Sequence, residues 1–202
     1  VRQGILVNRE CYNVRLANLF LRKIERRDAP GLLRLYQNGQ VSHFLPNPPQ
    51  DPEEMESMME KLMRTWHLYG IGMWAIQTSD SSDMIGRCGF YVHDDSLTDV
   101  PALELAYLLD VPSWGRGYAT VCASACLSYA FDMKGQAEVY GITKFDHAAS
   151  RRVMEKVGMR EAPMPQFNEI GKAYYVIRRE EERMEVAAQF ELVGSREIFH
   201  GP

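Results

Sequence analysis

Several signatures that would settle a function outright are missing from this chain. No run of about eighteen apolar residues occurs, so the sequence offers no span of a bilayer. Residues 1–12 lack the apolar core of a secretory leader. Both absences lead to the expectation of a cytoplasmic protein with no membrane partner. The four cysteines, Cys11, Cys88, Cys122 and Cys126, show no CxxC spacing, which argues against a disulfide framework and for reduced thiols. Cys122 and Cys126 stand one helical turn apart, but no neighbouring His or Cys completes a ligand set. Core packing is therefore expected of them, and no metal. No Gly-Lys-Ser or Gly-Lys-Thr follows a four-residue spacer, which excludes a Walker loop. A dinucleotide fingerprint fits poorly, because Thr120 stands where a third small residue is needed and Glu138 opens an apolar run instead of ending one. Repeats and low-complexity tracts are absent. A formal charge of −4 argues against a general nucleic-acid or anionic-membrane surface and mildly favours cationic acceptors such as amines.

What is present reads as one ordinary globular domain over residues 1–202, with 46% hydrophobic and 25% charged residues and enough length for a sizeable core. The stretch from Glu104 to Asp132 organises it. Leu103 to Leu109 is an apolar run of strand length, while Ala119, Cys122, Ala123, Cys126, Leu127, Ala130 and Phe131 recur at helical spacing. Between them lies Trp114-Gly115-Arg116-Gly117-Tyr118-Ala119-Thr120. A strand, glycine turn and helix in this order leave the first helical N–H groups pointing outward at the positive end of the helix dipole, where a phosphate can be received. Gly115 and Gly117 remove Cβ atoms that would hold an anion away, and Arg116 adds charge. A tight connection without a ligand is the alternative.

Elsewhere the patterns are local. Val14 to Ile24 reads as a strand. Asp28 caps a helix carrying Leu32, Leu33, Leu35 and Tyr36, which Gly39 ends. Val41 to Gln50, with three prolines, is a loop. Asp51 and Pro52 open a helix with an apolar stripe of Met55, Met58, Met59, Leu62, Met63 and Trp66. The methionines form either core or an adaptable binding wall. Gly72–Gln77 and Met84–Val92 make a hairpin, and the polar turn His93–Asp99 leads into the Leu103 strand. Glu138–Phe145 is a strand, a helix through Val153, Met154 and Val157 stops at Gly158, and Lys172–Arg178 is the last core strand beyond the loop Pro163–Gly171. The core spans about 14–179. The extension 180–202 is either solvated or docks on the body or on a second subunit, which leaves a homodimer open.

Trp114 to Ala119 resembles the Gln/Arg-x-x-Gly-x-Gly/Ala signature of the GNAT superfamily of acyl-CoA N-acyltransferases, with Trp114 in place of Gln or Arg. Leu109 to Thr120 is most similar to the RimJ/RimL branch. Asp146 to Met159 resembles the second cofactor segment of that family, Asn-x-x-Ser followed by Glu-Lys-x-Gly-Phe, with His147 for Asn and Met159 for Phe. The resemblance implies an α+β fold built on a mixed, mostly antiparallel sheet of about six to seven strands flanked by helices. It implies acetyl-CoA as co-substrate, with the pyrophosphate over Gly115 to Thr120 and the pantetheine between the Leu103 and Glu138 strands. Leu109, Trp114, Gly115, Arg116, Gly117, Tyr118, Ala119, Thr120, His147 and Ser150 are the corresponding contacts.

Acyl transfer to an amine needs a base, a polarised carbonyl and an acid for the leaving thiolate. Glu104, on the strand that feeds the turn, is the candidate base; its alternative is an exposed carboxylate or one paired with Arg. Ser150 matches the RimL-type acid and could instead cap its helix, while Tyr107, Tyr140 and Tyr174 are alternative acids. His43, His93 and His147 are further proton-transfer candidates by residue type, or else polar loop or cleft residues. With no nucleophilic Ser or Cys signature, direct attack is expected. The acceptor, a protein N-terminus or a small amine, would enter over Val41–Gln50 and the methionine helix. A non-catalytic acyl-CoA sensor is the reading outside enzymes.

Overall fold

The computed structural model describes residues 13–16, 18–93, 102–163, 171–179 and 190–193. Strands β1 (Asn13–Leu16) and β2 (Leu19–Lys23) form a hairpin, where the sequence suggests a single strand from Val14 to Ile24. Leu16 sits opposite Leu19 and Val14 opposite Leu21, and all four are buried. Directly opposed residues share a face, so the reversal keeps the apolar pattern in phase and leaves no mark in it.

A 3-10 turn, Arg26–Asp28, leads into α1 (Ala29–Gln37). Asp28 stands at the N-cap of α1 as expected, but its side chain makes no capping bond to that helix. Its carboxylate is buried against the Arg22 guanidinium at 2.8 and 2.5 Å and accepts the Glu25 N–H at 2.8 Å. Gly39 is not the stop. The chain turns at Asn38, whose side chain accepts the Gln40 N–H at 3.0 Å, and Gly39 opens the short α2 (Gly39–Ser42). Asp51 caps α3 (Pro52–Tyr69) through the Glu54 N–H at 2.9 Å, and Gly70 ends it at φ 61°. On α3, Met55, Met59, Leu62 and Trp66 are buried, whereas Met58 stays at the rim of the cleft described below.

The remaining strands are β3 (Met73–Thr78), β4 (Met84–His93), β5 (Ala102–Leu109), β6 (Glu138–Lys144), β7 (Arg160–Glu161), β8 (Lys172–Arg178) and β9 (Phe190–Val193). Helix α4 (Tyr118–Ser128) continues as a π-helical turn, Tyr129–Met133, and α5 is Ala148–Lys156. His93 belongs to β4, so the expected polar turn begins after it; residues 94–101, and 164–170 of the later loop, lie outside the described residues.

The sheet order is β7-β8-β6-β5-β4-β3-β2-β1-β9. Among the described residues nine strands exceed the six to seven expected, because the first segment splits in two and β7 and β9 join the edges. β9, from the tail, pairs antiparallel with β1. Every pairing is antiparallel except β5 with β6.

That exception positions the site. β5 and β6 pair only at Glu104 with Tyr140 and Leu105 with Gly141. Beyond this point β5 stays with β4 as far as Leu109, and β6 stays with β8 as far as Lys144. A gap therefore opens between Ala106–Leu109 and Ile142–Lys144. Alternation assigns the faces. Cys88 meets Cys126 of α4 at 3.6 Å, so the even residues of β4 face α4. Arg87 reaches Tyr36 of α1, so the odd residues face α1 and α3. Since Tyr91 opposes Glu104 and Cys88 opposes Tyr107, Glu104 and Tyr107 lie on opposite faces of the sheet.

Candidate active site

The glycine turn is built by short-range bonds. The side chain of Asp110 accepts the Ser113 N–H at 3.2 Å, the Trp114 N–H reaches the Val111 carbonyl, and the Trp114 indole N–H donates to the Leu109 carbonyl at 2.9 Å. The residue is 43% exposed. In this chain Trp114 thus ties the turn to the end of β5, the strand that it leaves. Gly115 at φ 74° and Gly117 at φ 80° hold left-handed conformations that favour glycine. A Cβ at either would meet nothing within 4 Å. Gly117 is the N-cap of α4 and its carbonyl takes the Val121 N–H, so the amides ahead of Val121 have no intrahelical partner. The open space in front of the turn and these free donors fit a diphosphate.

The turn lies at one end of a cleft of roughly 1880 Å³, whose wall includes Leu109, Trp114, Gly115, Gly117, Tyr118, Ala119 and Thr120. Arg116 is outside that wall; its guanidinium lies over the Tyr118 ring, 5.6 Å from the centroid. Tyr118 is held in turn by Asn18, whose amide donates to its hydroxyl at 2.9 Å.

On the α1/α3 face of the gap, Glu104 Oε2 lies 2.8 Å from His93 Nε2. The Glu104 side chain is 18% exposed and that of His93 47%. The partner of the carboxylate is therefore an imidazole at the end of the neighbouring strand, and not the arginine of the alternative reading. Hydrogen bonding to Glu104 outweighs partial burial and raises His93 above the ordinary imidazole range.

On the α4/α5 face, the Tyr107 hydroxyl donates to the Ser150 carbonyl at 2.9 Å and lies 3.0 Å from Ser150 Oγ. Burial pushes the Tyr107 phenol well above its usual value, so it keeps its proton at neutral pH. Ser150 is the third residue of α5, behind His147 at the N-cap, and is not itself the cap. Ser150 and Tyr107 both line the cleft, whereas Tyr140 and Tyr174 do not.

Two loops meet over the gap. The Phe44 ring stacks on His147 with centroids 3.6 Å apart, and Lys144 Nζ donates to the His43 carbonyl at 2.5 Å. Burial is the main cause that lowers His147 below the ordinary imidazole range. His43 contributes through its backbone; its ring packs edge-on against Phe44. Sequence reasoning missed Tyr36, Arg87 and Tyr91 in the cleft wall, and included Phe44 only as part of the acceptor loop Val41–Gln50. An arginine in the otherwise apolar run Met84–Val92 was the one available signal.

The family model for the acetyltransferase (GNAT) domain matches residues 18–160, which takes in the gap, the glycine turn and both side-chain pairs. The chain belongs to the GNAT family of acetyltransferases. Among curated proteins it is similar to the uncharacterized protein YkkB of Bacillus subtilis, 27% identical over 139 residues, which cover 69% of this chain and 80% of the relative. Among solved structures, a GNAT-family acetyltransferase from Bacillus anthracis superposes with a TM-score of 0.69 at 22% identity, covering 84% of this chain and 99% of that one. RimL, a ribosomal L7/L12 α-N-protein acetyltransferase solved with coenzyme A, gives a TM-score of 0.67 at 18% identity, covering 80% and 94%. These likenesses show that the GNAT fold extends over most of the chain.

Proposed function

We propose that this GNAT protein is a cytoplasmic N-acetyltransferase of the RimJ/RimL-like branch, which moves an acetyl group from acetyl-CoA to a primary amine by direct attack. The observation that carries this reading is the gap between β5 and β6, with Glu104 and His93 on one face and Tyr107 with Ser150 on the other. Acetyl-CoA, when bound, supplies an acyl group activated as a thioester and a thiolate leaving group. The free amides from Gly117 to Thr120 and the bare glycines would hold its diphosphate, and Leu109, His147 and Ser150 would flank the arm that enters the gap.

An amine arriving as ammonium must lose a proton before its nitrogen can attack. Glu104 stands on the acceptor side to take that proton, directly or through one water. Half-exposed His93, bonded to Glu104, connects it to solvent. As the nitrogen–carbon bond forms and the carbon–sulfur bond breaks, negative charge grows on sulfur. The hydroxyls of Tyr107 and Ser150, held 3.0 Å apart, supply the proton from the opposite face. Placing base and acid across the sheet keeps them from neutralising one another.

A thiol-release assay with acetyl-CoA and a panel of peptide N-termini and small amines, read with product mass spectrometry, tests the reading. Amine-dependent thiol release with a mass gain of one acetyl group is expected. Tight binding of acetyl-CoA without transfer to any amine would overturn it.

A further inference from the structure

Two arginines, Arg22 and Arg87, are buried in the fold, and they differ in one respect. Arg22 is matched by the Asp28 carboxylate at 2.5 Å. Arg87, 3% exposed in the middle of β4, has no carboxylate partner among the described residues. Its Nε donates to the Tyr36 hydroxyl at 2.8 Å, its Nη2 to the Tyr91 hydroxyl at 2.8 Å and its Nη1 to the Met73 sulfur at 3.4 Å. None of these acceptors carries charge. Burial raises the Tyr36 phenol well above its usual value, so it stays neutral, and a thioether is a weak acceptor. A lone buried cation is costly unless an anion meets it.

The position of this cation is informative. Tyr36, Arg87, Tyr91 and Glu104 all line the same cleft. Tyr91, which takes Nη2, sits directly opposite Glu104 in the β4–β5 pairing, and opposed strand residues lie about 5 Å apart. Arg87 itself pairs with Leu108, four residues along β5 from Glu104, and Tyr91 bridges the two positions: its hydroxyl takes the guanidinium and its backbone opposes the carboxylate that would receive the amine's proton. Three of the guanidinium's five N–H groups are used, which leaves one on each terminal nitrogen, a pair suited to the two oxygens of a carboxylate.

We propose that Arg87, framed by Tyr36 and Tyr91, is an acceptor subsite for a carboxylate, so that the preferred acceptor is a small amine that also carries an acidic group. The amine nitrogen lies at Glu104 and the carboxylate at Arg87. This inference rests on the acetyl-transfer reading for the role of Glu104, and it narrows the acceptor to small zwitterions such as amino carboxylates.

The test is calorimetric binding of matched pairs that differ only in carboxylate against amide: glycine and glycinamide, β-alanine and its amide, 4-aminobutyrate and its amide, and larger α-amino acids with theirs. Each pair is measured with saturating coenzyme A, which permits no turnover, and without it. In at least one pair the carboxylate should bind about tenfold or more tighter, as a charge-assisted bond to a buried guanidinium implies. Arg87→Met should bring that preference to within about twofold, and Arg87→Lys should keep part of it. Equal binding of every pair by the unaltered protein, or a preference that survives Arg87→Met, would overturn the proposal. Should Arg87→Met fail to fold, the unaltered protein and Arg87→Lys decide the matter together. Failure of coenzyme A to bind would sink the acetyl-transfer reading while leaving the carboxylate measurement to stand separately.

Discussion

Glu104 and His93 form a pair in which each residue changes what the other can do. Because the hydrogen bond to Glu104 raises His93, the imidazole gives up its proton only above its ordinary value of about 6.5. The rate at limiting amine should therefore rise with pH through that raised value. Glu104→Gln removes the anion that holds the proton, so the inflection should move down towards about 6.5, while turnover at neutral pH falls roughly 10²- to 10⁴-fold. Steady-state pH–rate profiles check both effects, and an inflection that stays in place would show that another group titrates. Across the sheet, Ser150→Ala should lower turnover with little change in acetyl-CoA affinity, since a proton is needed at sulfur only as charge develops. Paired kinetics and calorimetry decide this; because Ser150 lies inside α5 and not at its cap, a loss confined to stability would argue against the acid role. Ser150 was legible in a local motif. Its bond to Tyr107, 43 positions away, was not, because no local pattern encodes which turn of a helix meets which strand residue.

At the scale of elements, the connection from β5 to α4 carries the cofactor hypothesis. Gly117→Asp would place an anion where free amides gather and should weaken acetyl-CoA binding by about 1.5 to 3 kcal/mol, the range of a charge-assisted contact. Calorimetry on the folded variant is the check, and unchanged affinity would move the cradle elsewhere. Trp114 answers a different question. Its indole bond to the Leu109 carbonyl pins the turn, so Trp114→Phe, which keeps the ring and loses the donor, should cost about 1 kcal/mol of stability, measurable by urea denaturation. A variant as stable as the parent would leave the indole bond without consequence. The glycines of this turn were readable because left-handed backbone favours them strongly. Arg116 was placed beside the anion by proximity in sequence alone, but a turn fans successive side chains outward, and this one lies on Tyr118.

For the molecule as a whole, the buried Arg22–Asp28 pair joins the β2 strand to the turn before α1. Asp28→Ala would leave Arg22 in the interior without its anion and should destabilise the fold by about 3 to 5 kcal/mol. Chemical denaturation measures this, and a change below about 1 kcal/mol would show that solvent reaches the guanidinium. By itself the sequence determined most of the central strands and the longer helices, the capped start of α3, the glycine turn and the two segments that resemble the family's motifs. All of these arise from propensities and spacings within one or two turns of chain, where neighbours in sequence are neighbours in space. Only the tertiary structure decided the β1–β2 hairpin, the gap between β5 and β6, the partner of Glu104 and the burial of Arg87 among uncharged acceptors. Each depends on strand register, in which a slip of one residue sends a side chain to the opposite face of the sheet, and register is set by packing among elements far apart in the chain.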